Sequence, residues 1–224
     1  MTRPLEGILV INKPRGMTSH AVVARVRRIL GIKKVGHAGT LDPLATGVLV
    51  VLVGRSTKLF EKFVAFDKAY RATFLLGKKT DSADIEGRLL VERPYDRVDR
   101  PGVEEVFARF TGVIQQVPPM VSAVKKGGRK LYELARRGVE VPREPREVRI
   151  DQLTLRRFEP PEVEFYVECS KGTYVRQIAD DVGEALGCGA CISQIERTKV
   201  GPFTLDKAID LQDCHERHLR YWTG

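Results

Sequence analysis

The sequence predicts an α+β domain built on a mostly antiparallel sheet with flanking helices, and three observations carry that prediction. Strand-like and helix-like segments follow one another without a regular strand–helix–strand alternation. Residues 162–168 alternate strictly, with Val163, Phe165 and Val167 on one face and Glu162, Glu164, Tyr166 and Glu168 on the other, as in an antiparallel strand with one face in water. The 224 residues, 42% hydrophobic and 30% charged, can bury one ordinary core, and no repeat, low-complexity tract or composition break marks a linker.

The elements follow in order. Residues 7–12 (Gly-Ile-Leu-Val-Ile-Asn) read as a short buried strand ended by the turn chemistry of Lys13-Pro-Arg-Gly16. A helix comes next, capped by Thr18 or Ser19, with Val22, Val23, Val26, Ile29 and Leu30 at helical spacing and Gly31 as its left-handed stop. Residues 33–47 show no sustained period and are expected to be a loop with special backbone positions at Gly36, Gly39, Pro43 and Gly47. Residues 48–53 form a continuous β-branched and leucine run, and residues 68–76 a second strand rich in Tyr, Phe and Thr. After a polar, acidic stretch at 80–86, residues 103–110 look helical, 130–137 predict a short helix, and 174–186 carry Val175, Ile178, Ala179 and Val182 at helical spacing before Gly187. Residues 214–224 show no legible packing pattern.

The charge balance narrows the partners. With 38 Lys and Arg against 29 Asp and Glu, the net charge of +9 favours a polyanion, nucleic acid ahead of an anionic membrane surface. Part of the excess is local: over residues 125–149 nine basic side chains face four acidic ones, a net +5. No apolar run approaches the ~20 residues that span a bilayer, and the first residues lack a signal-peptide pattern, so a cytoplasmic location is expected. The four cysteines are then expected as free thiols. Cys188-Gly-Ala-Cys191 has metal-ligand spacing that Cys214, His215 and His218 could complete, but a second close Cys pair is missing and no metal site is assigned.

The segment richest in chemistry is Gly36-His-Ala-Gly-Thr-Leu-Asp-Pro-Leu-Ala-Thr-Gly47, a loop leading into a buried strand. Its glycines permit turns and Pro43 biases Asp42 towards an extended backbone. Taken alone, Asp42 would more often cap a short helical turn with Pro43 at its first position.

This segment resembles the catalytic signature of the TruB family of pseudouridine synthases, and other blocks of that family occur in order. They are Ile11-Asn-Lys-Pro-Arg-Gly-Met-Thr-Ser19, Lys68-Ala-Tyr-Arg71 with Leu76-Gly77 and Thr80-Asp81, Val117-Pro-Pro-Met-Val-Ser-Ala-Val-Lys125, Ser170-Lys-Gly-Thr-Tyr-Val-Arg176 and Arg197-Thr-Lys-Val-Gly-Pro-Phe203. The resemblance implies the pseudouridine synthase fold, with a curved sheet and an RNA-binding cleft. It implies Asp42 as nucleophile, Arg176 as the arginine paired with it, and Tyr70 as the aromatic that stacks on the target base. It further implies substrate contacts for Tyr174 and Ile195, for His37 in the space vacated by a flipped uridine, and for Lys13, whose alternative role is support of the loop. Departures fall at Asn12, where family members usually carry Asp, at Ile195, where Leu is frequent, and at Glu196, where Arg is common.

On the same resemblance, the expected partner is the T arm of tRNA, with no cofactor, no membrane, no obligate protein partner and a monomeric state. Residues 1–211 are expected to form the catalytic domain, with a basic RNA-gripping insertion at about 118–149, and residues 212–224 a tail with no second RNA-binding domain. The rival expectations are a non-catalytic tRNA-binding or folding module, and the guide-RNA-dependent branch of the same superfamily.

Overall fold

The structure, a computed structural model, describes residues 5–120, 125–126, 129–130 and 141–222. They fall into two units: residues 1–70 with 195–224, and residues 71–194. The chain crosses between them inside two strands, β4 (Lys68–Leu76) and β12 (Ala190–Val200).

In the first unit, β1 (Gly7–Lys13) runs antiparallel to β3 (Thr46–Val53), with Val10 opposite Val50. β12 adds on in parallel with Arg197 opposite Gly47, the short β13 (Phe203–Thr204) pairs antiparallel with the end of β12, and the strand order is β14 (Ile209–Asp210), β1, β3, β12. One face of β1 and β3 supplies Ile8, Val10, Val48, Val50 and Leu52 to a core that includes Phe63 of α2 (Phe60–Val64). The alternate residues Leu9, Ile11, Leu49 and Val51 are equally buried. Burial on both faces is why these strands read as unbroken apolar runs. α1 (Ser19–Leu30) begins where Thr18 Oγ1 accepts from the Ala21 N–H and ends at Gly31, which has φ 64° and donates to the Arg27 carbonyl. Arg27 and Arg28 in its last turn suit the negative end of the helix dipole.

Two expectations about this unit are corrected. The stretch expected as pure loop contains β2 (Val35–Ala38), which pairs with Val50 to Val53 of β3. It is short, with Gly36 and His37 at its centre, so it has no hydrophobic period to reveal it. The segment with no legible packing pattern is packed: Arg220 exchanges backbone hydrogen bonds with Ile8, Cys214 is buried, and Trp222 joins Phe63, Phe66 and Phe203 in an aromatic cluster.

Gly47 sits where β3 meets β12, at φ 95°, and a Cβ there would lie 2.3 Å from the Arg197 carbonyl oxygen and 2.9 Å from its nitrogen. Both contacts are backbone and neither can swing aside. Gly47→Ala is therefore expected to lose at least ~1–3 kcal/mol from the left-handed backbone alone, with the clash added. A urea midpoint equal to wild type would show that the two strands can part at no cost.

In the second unit the strand order is β12, β4, β11, β10, β7. β10 (Arg146–Glu159) and β11 (Glu162–Cys169) form a long antiparallel hairpin, and β7 (Gly112–Gln116) pairs antiparallel with β10. The alternation expected for β11 is observed, with Val163, Phe165 and Val167 fully buried. Phe74, Phe165 and Phe107 pack ring to ring, the last from α3 (Arg100–Arg109), which Asp99 caps through the Gly102 N–H. α4 (Val175–Ala185) follows, with Tyr174 as its N-cap residue. β5 (Lys78–Thr80) and β6 (Leu89–Glu92) make a separate ribbon, and β8 (Lys125–Lys126) pairs with β9 (Arg129–Lys130). The helix expected over residues 130–137 lies, apart from Lys130, outside the described residues. No helix among the described residues is long and apolar enough to cross a membrane.

Candidate active site

Five of the sequence-derived site residues lie in the first unit and two in the second. In the first, Asp42 is half-buried at the start of a turn closed by the Ala45 N–H on the Asp42 carbonyl, 3.1 Å, with Pro43 at its second position. It is not the cap of a continuing helix. The backbone around it is satisfied from every side. Ser19 Oγ donates to the Leu41 carbonyl at 3.1 Å and accepts from the Leu41 N–H at 2.9 Å. Lys13 Nζ donates to the carbonyls of Pro14 at 2.9 Å, Met17 at 2.6 Å and Pro43 at 3.3 Å. Arg197 donates from Nε to Val48 at 2.8 Å, from Nη2 to Gly39 at 3.0 Å and from Nη1 to Thr40 at 3.5 Å.

The carbonyls of residues 39–43 thus all have donors, four of them from buried side chains. Carbonyls held by buried donors favour one conformation, because an alternative strands those donors at ~1–3 kcal/mol each. Lys13 is fully buried and its ammonium donates to three carbonyls, a geometry that supports the loop.

His37, in β2, lies edge-on to His20 with ring centroids 5.2 Å apart, and its buried Nδ1 has no hydrogen-bond partner among the described residues. Burial, then the neighbouring His20 and Arg197 charges, push its pKa down to about 4. The ring is therefore neutral at pH 7. Since the ordinary value of 6.5 exceeds the folded one, the unfolded chain binds the extra proton first, and the contribution of neutral His37 to stability is lost as pH falls from 6.5 towards 4. An NMR titration should give a His37 midpoint near 4; a midpoint near 6.5 would contradict the burial of a bare Nδ1. Tyr70, on β4, is only 8% exposed, and Ile195, on β12, is half-buried.

In the second unit, Arg176 is 4% exposed on the first turn of α4. Its Nη1 donates to the Ser82 carbonyl at 2.5 Å and lies 3.6 Å from Asp84 Oδ2. Asp84 is itself fixed, since Oδ1 accepts from Ser82 Oγ at 2.7 Å and from the Glu86 N–H at 3.1 Å. Between Ser82 and Asp84, Ala83 adopts φ 61°, a left-handed conformation that costs roughly 1–2 kcal/mol outside glycine. The loop is anchored by Ala83 and Ile85, which bond the backbone of Ile192 in β12. Tyr174, half-exposed, is gripped by the buried Gln116: its N–H donates to Oε1 at 2.8 Å and its carbonyl accepts from Nε2 at 3.1 Å.

Sequence reasoning did not single out Arg197, Ser19, Asp84 or Gln116. It also passed over the charge of residues 7–41, which contain no acidic side chain and expose Arg25, Arg28, Lys33 and Lys34, none in a salt bridge among the described residues. No group of three or more His, Cys, Asp or Glu among the described residues is placed to hold a metal. Cys188 and Cys191 are buried, and burial pushes both thiols up, Cys191 to about 11.

The fold is that of the pseudouridine synthases. The structure matches a chain of a Cbf5-Nop10-Gar1 complex with TM-score 0.73 at 32% identity, over 92% of this chain and 53% of that one. A chain of an H/ACA RNP bound to a substrate RNA containing 2′-deoxyuridine matches with TM-score 0.69 at 29% identity, over 92% and 51%. This chain therefore spans about half the length of those solved chains.

Residues 27–175 match the family described as TruB family pseudouridylate synthase (N terminal domain), and residues 176–223 match tRNA pseudouridylate synthase B C-terminal domain. The tRNA pseudouridine synthase B of Syntrophotalea carbinolica is 50% identical over 93% of this chain and 68% of its own length. That of Symbiobacterium thermophilum is 52% identical over 93% and 71%. The chain belongs to the TruB family.

Proposed function

We propose that this chain is a tRNA pseudouridine synthase, an isomerase that converts the T-loop uridine at position 55 with Asp42 as its nucleophile. The observation that carries the reading is Asp42 itself, a half-buried carboxylate on a loop whose carbonyls at residues 39–43 are all paired, inside the family's signature segment. Such a carboxylate is presented to one point with little freedom, which is where a nucleophile gains most from its scaffold.

The uridine is flipped out of the T loop's stack to reach it. Asp42 attacks either carbon 6 of the base or the anomeric carbon of the ribose, the glycosidic bond breaks, and the base turns and rejoins through carbon 5. The bond to Asp42 breaks and frees the carboxylate, carbon 5 gives up its proton and nitrogen 1 takes one up. The product is an isomer of uridine, so the reaction needs no group donor and no change of oxidation state. Arg176, its guanidinium fixed by Asp84 and Ser82, takes the role of the arginine that the family motif assigns to the nucleophilic aspartate. Neutral His37 fills the space the base leaves; Ile195 offers an apolar wall, and Tyr174 a contact positioned by Gln116. The exposed Arg25, Arg28, Lys33 and Lys34, together with the basic segment at 125–149, meet RNA phosphates.

Identity of 50% to curated tRNA pseudouridine synthase B chains, against 32% to the Cbf5 complex chain, supports action on tRNA. Action as a monomer, without a guide RNA or protein partner, is part of the same proposal. Formation of pseudouridine in an unmodified tRNA transcript by the purified chain alone tests the reading. If turnover appeared only with guide RNA and partner proteins, the guide-dependent reading would replace it.

Tyr70 has two roles with different signatures. As the stacking platform for the flipped base, Tyr70→Leu should lose ~1–3 kcal/mol of transition-state stabilisation with little change in melting temperature, and Tyr70→Phe should keep stacking. Its 8% exposure also suits a core aromatic, for which the Leu variant would melt early yet turn over normally when folded. Thermal melts and single-turnover kinetics on both variants separate the two.

A further inference from the structure

We infer that Arg197 is a positioning residue for the reaction: its buried guanidinium ties the two ends of the loop that carries Asp42. The inference rests on the functional reading above. Arg197 is 1% exposed and heads the largest fully buried side chains of the described residues. Its three carbonyl partners lie on both sides of Asp42, with Gly39 and Thr40 before it and Val48 after it. The Arg197 backbone is pinned as well, paired in register with Gly47, where only the missing Cβ allows the approach. The guanidinium therefore starts from a fixed point and reaches around the loop to hold both its shoulders.

What makes this unlike an ordinary packing contact is the charge. Among the described residues Arg197 has no salt bridge, so a full positive charge is buried against carbonyl dipoles alone. Desolvating a charge on those terms is expensive, and a well-packed apolar side chain would fill the same volume at less cost. What no apolar side chain supplies is five N–H donors in a rigid planar fork, able to reach three diverging carbonyls at once. Lysine offers a point charge on a flexible stem and glutamine two donors; neither spans the set. Ser19 and Lys13 fix the loop at Leu41 and Pro43, but Gly39, Thr40 and Val48 are fixed by Arg197. The same cation is one of the groups that hold His37 neutral.

The test uses the full chain as Arg197→Lys and Arg197→Gln with an unmodified tRNA transcript. A nucleophile displaced by about 1 Å loses on the order of a hundredfold in rate. Each variant, assayed below its melting temperature, is therefore expected to show a single-turnover rate at saturation roughly a hundredfold lower, with tRNA Kd within about threefold because the side chain is buried away from any phosphate. A folded Lys variant at the wild-type rate, or one whose only defect is a weaker Kd, overturns the inference. Hydrogen exchange reads the clamp without activity: amides of residues 39–45 are expected to be protected in wild type and to lose that protection in Arg197→Lys. Unchanged protection overturns the inference even if a variant is slow. Absence of turnover in wild type would instead overturn the functional reading, leaving the exchange result to decide the clamp.

Discussion

Asp42→Ala is expected to abolish pseudouridine formation while leaving tRNA affinity within about tenfold, a margin of ~1.4 kcal/mol. The rate loss follows from removing the atom that forms the covalent bond, since no neighbouring side chain on that loop offers a carboxylate in its place. The retained affinity follows from where binding energy resides: RNA affinity comes mainly from phosphate contacts, and the exposed basic residues are untouched. The variant should also fold. The loop's shape is set by Ser19, Lys13 and Arg197 acting on backbone carbonyls, none of which the Asp42 carboxylate supplies. Residual turnover near wild type would remove Asp42 as nucleophile.

The second large effect is expected at Asp84, where stability and rate should fall together. Asp84→Ala takes from a nearly buried guanidinium the carboxylate 3.6 Å away. Breaking a buried ion pair by deleting one partner typically costs ~3–5 kcal/mol, and at this chain length each kcal/mol lowers the melting temperature by roughly 2–4 °C. The Ala variant also deletes the acceptor for Ser82 Oγ and the Glu86 N–H, so the loop that places Arg176 loses its internal ties. Asp84→Asn separates the effects. Its amide oxygen can still accept from Ser82 and Glu86, so most of the stability should return, whereas the charge facing Arg176 does not. A folded Asn variant with impaired single-turnover rate is the expected result. Wild-type rate in that variant would mean that Arg176 is held well enough by Ser82 alone.

These two predictions also mark what could be read from the sequence. β1, α1, β3, β11 and α4 were legible because each buries a face at its own period and most carry a cap or glycine stop. β12 was not, because its second half, Gln-Ile-Glu-Arg-Thr-Lys, is polar and its buried member is an arginine. β10 hides for a similar reason, with Arg and Gln facing solvent along a strand that bulges twice against β11.

In the site, Asp42 was visible only through its motif, since an Asp-Pro pair alone suggests a cap. Arg197 was quoted as part of a motif and still passed over, because nothing local distinguishes an arginine in the core from one on the surface. Its burial comes from carbonyls up to 158 residues away in the chain. Gln116 and Asp84 share that obscurity, as their partners Tyr174 and Arg176 are also remote in sequence. Lys13 was expected either to contact substrate or to support the loop, and its burial could not be foreseen from a Lys-Pro turn that elsewhere would be exposed.

The central claim is that this chain forms pseudouridine in tRNA using the aspartate its rigid loop presents. The most direct measurement incubates the purified protein and its Asp42→Ala variant with an unmodified tRNA transcript and maps pseudouridine by carbodiimide-based sequencing. The account predicts one strong carbodiimide stop at the T-loop uridine with the wild-type protein and none with the variant; stops of equal strength with both proteins, or none with either, would contradict it.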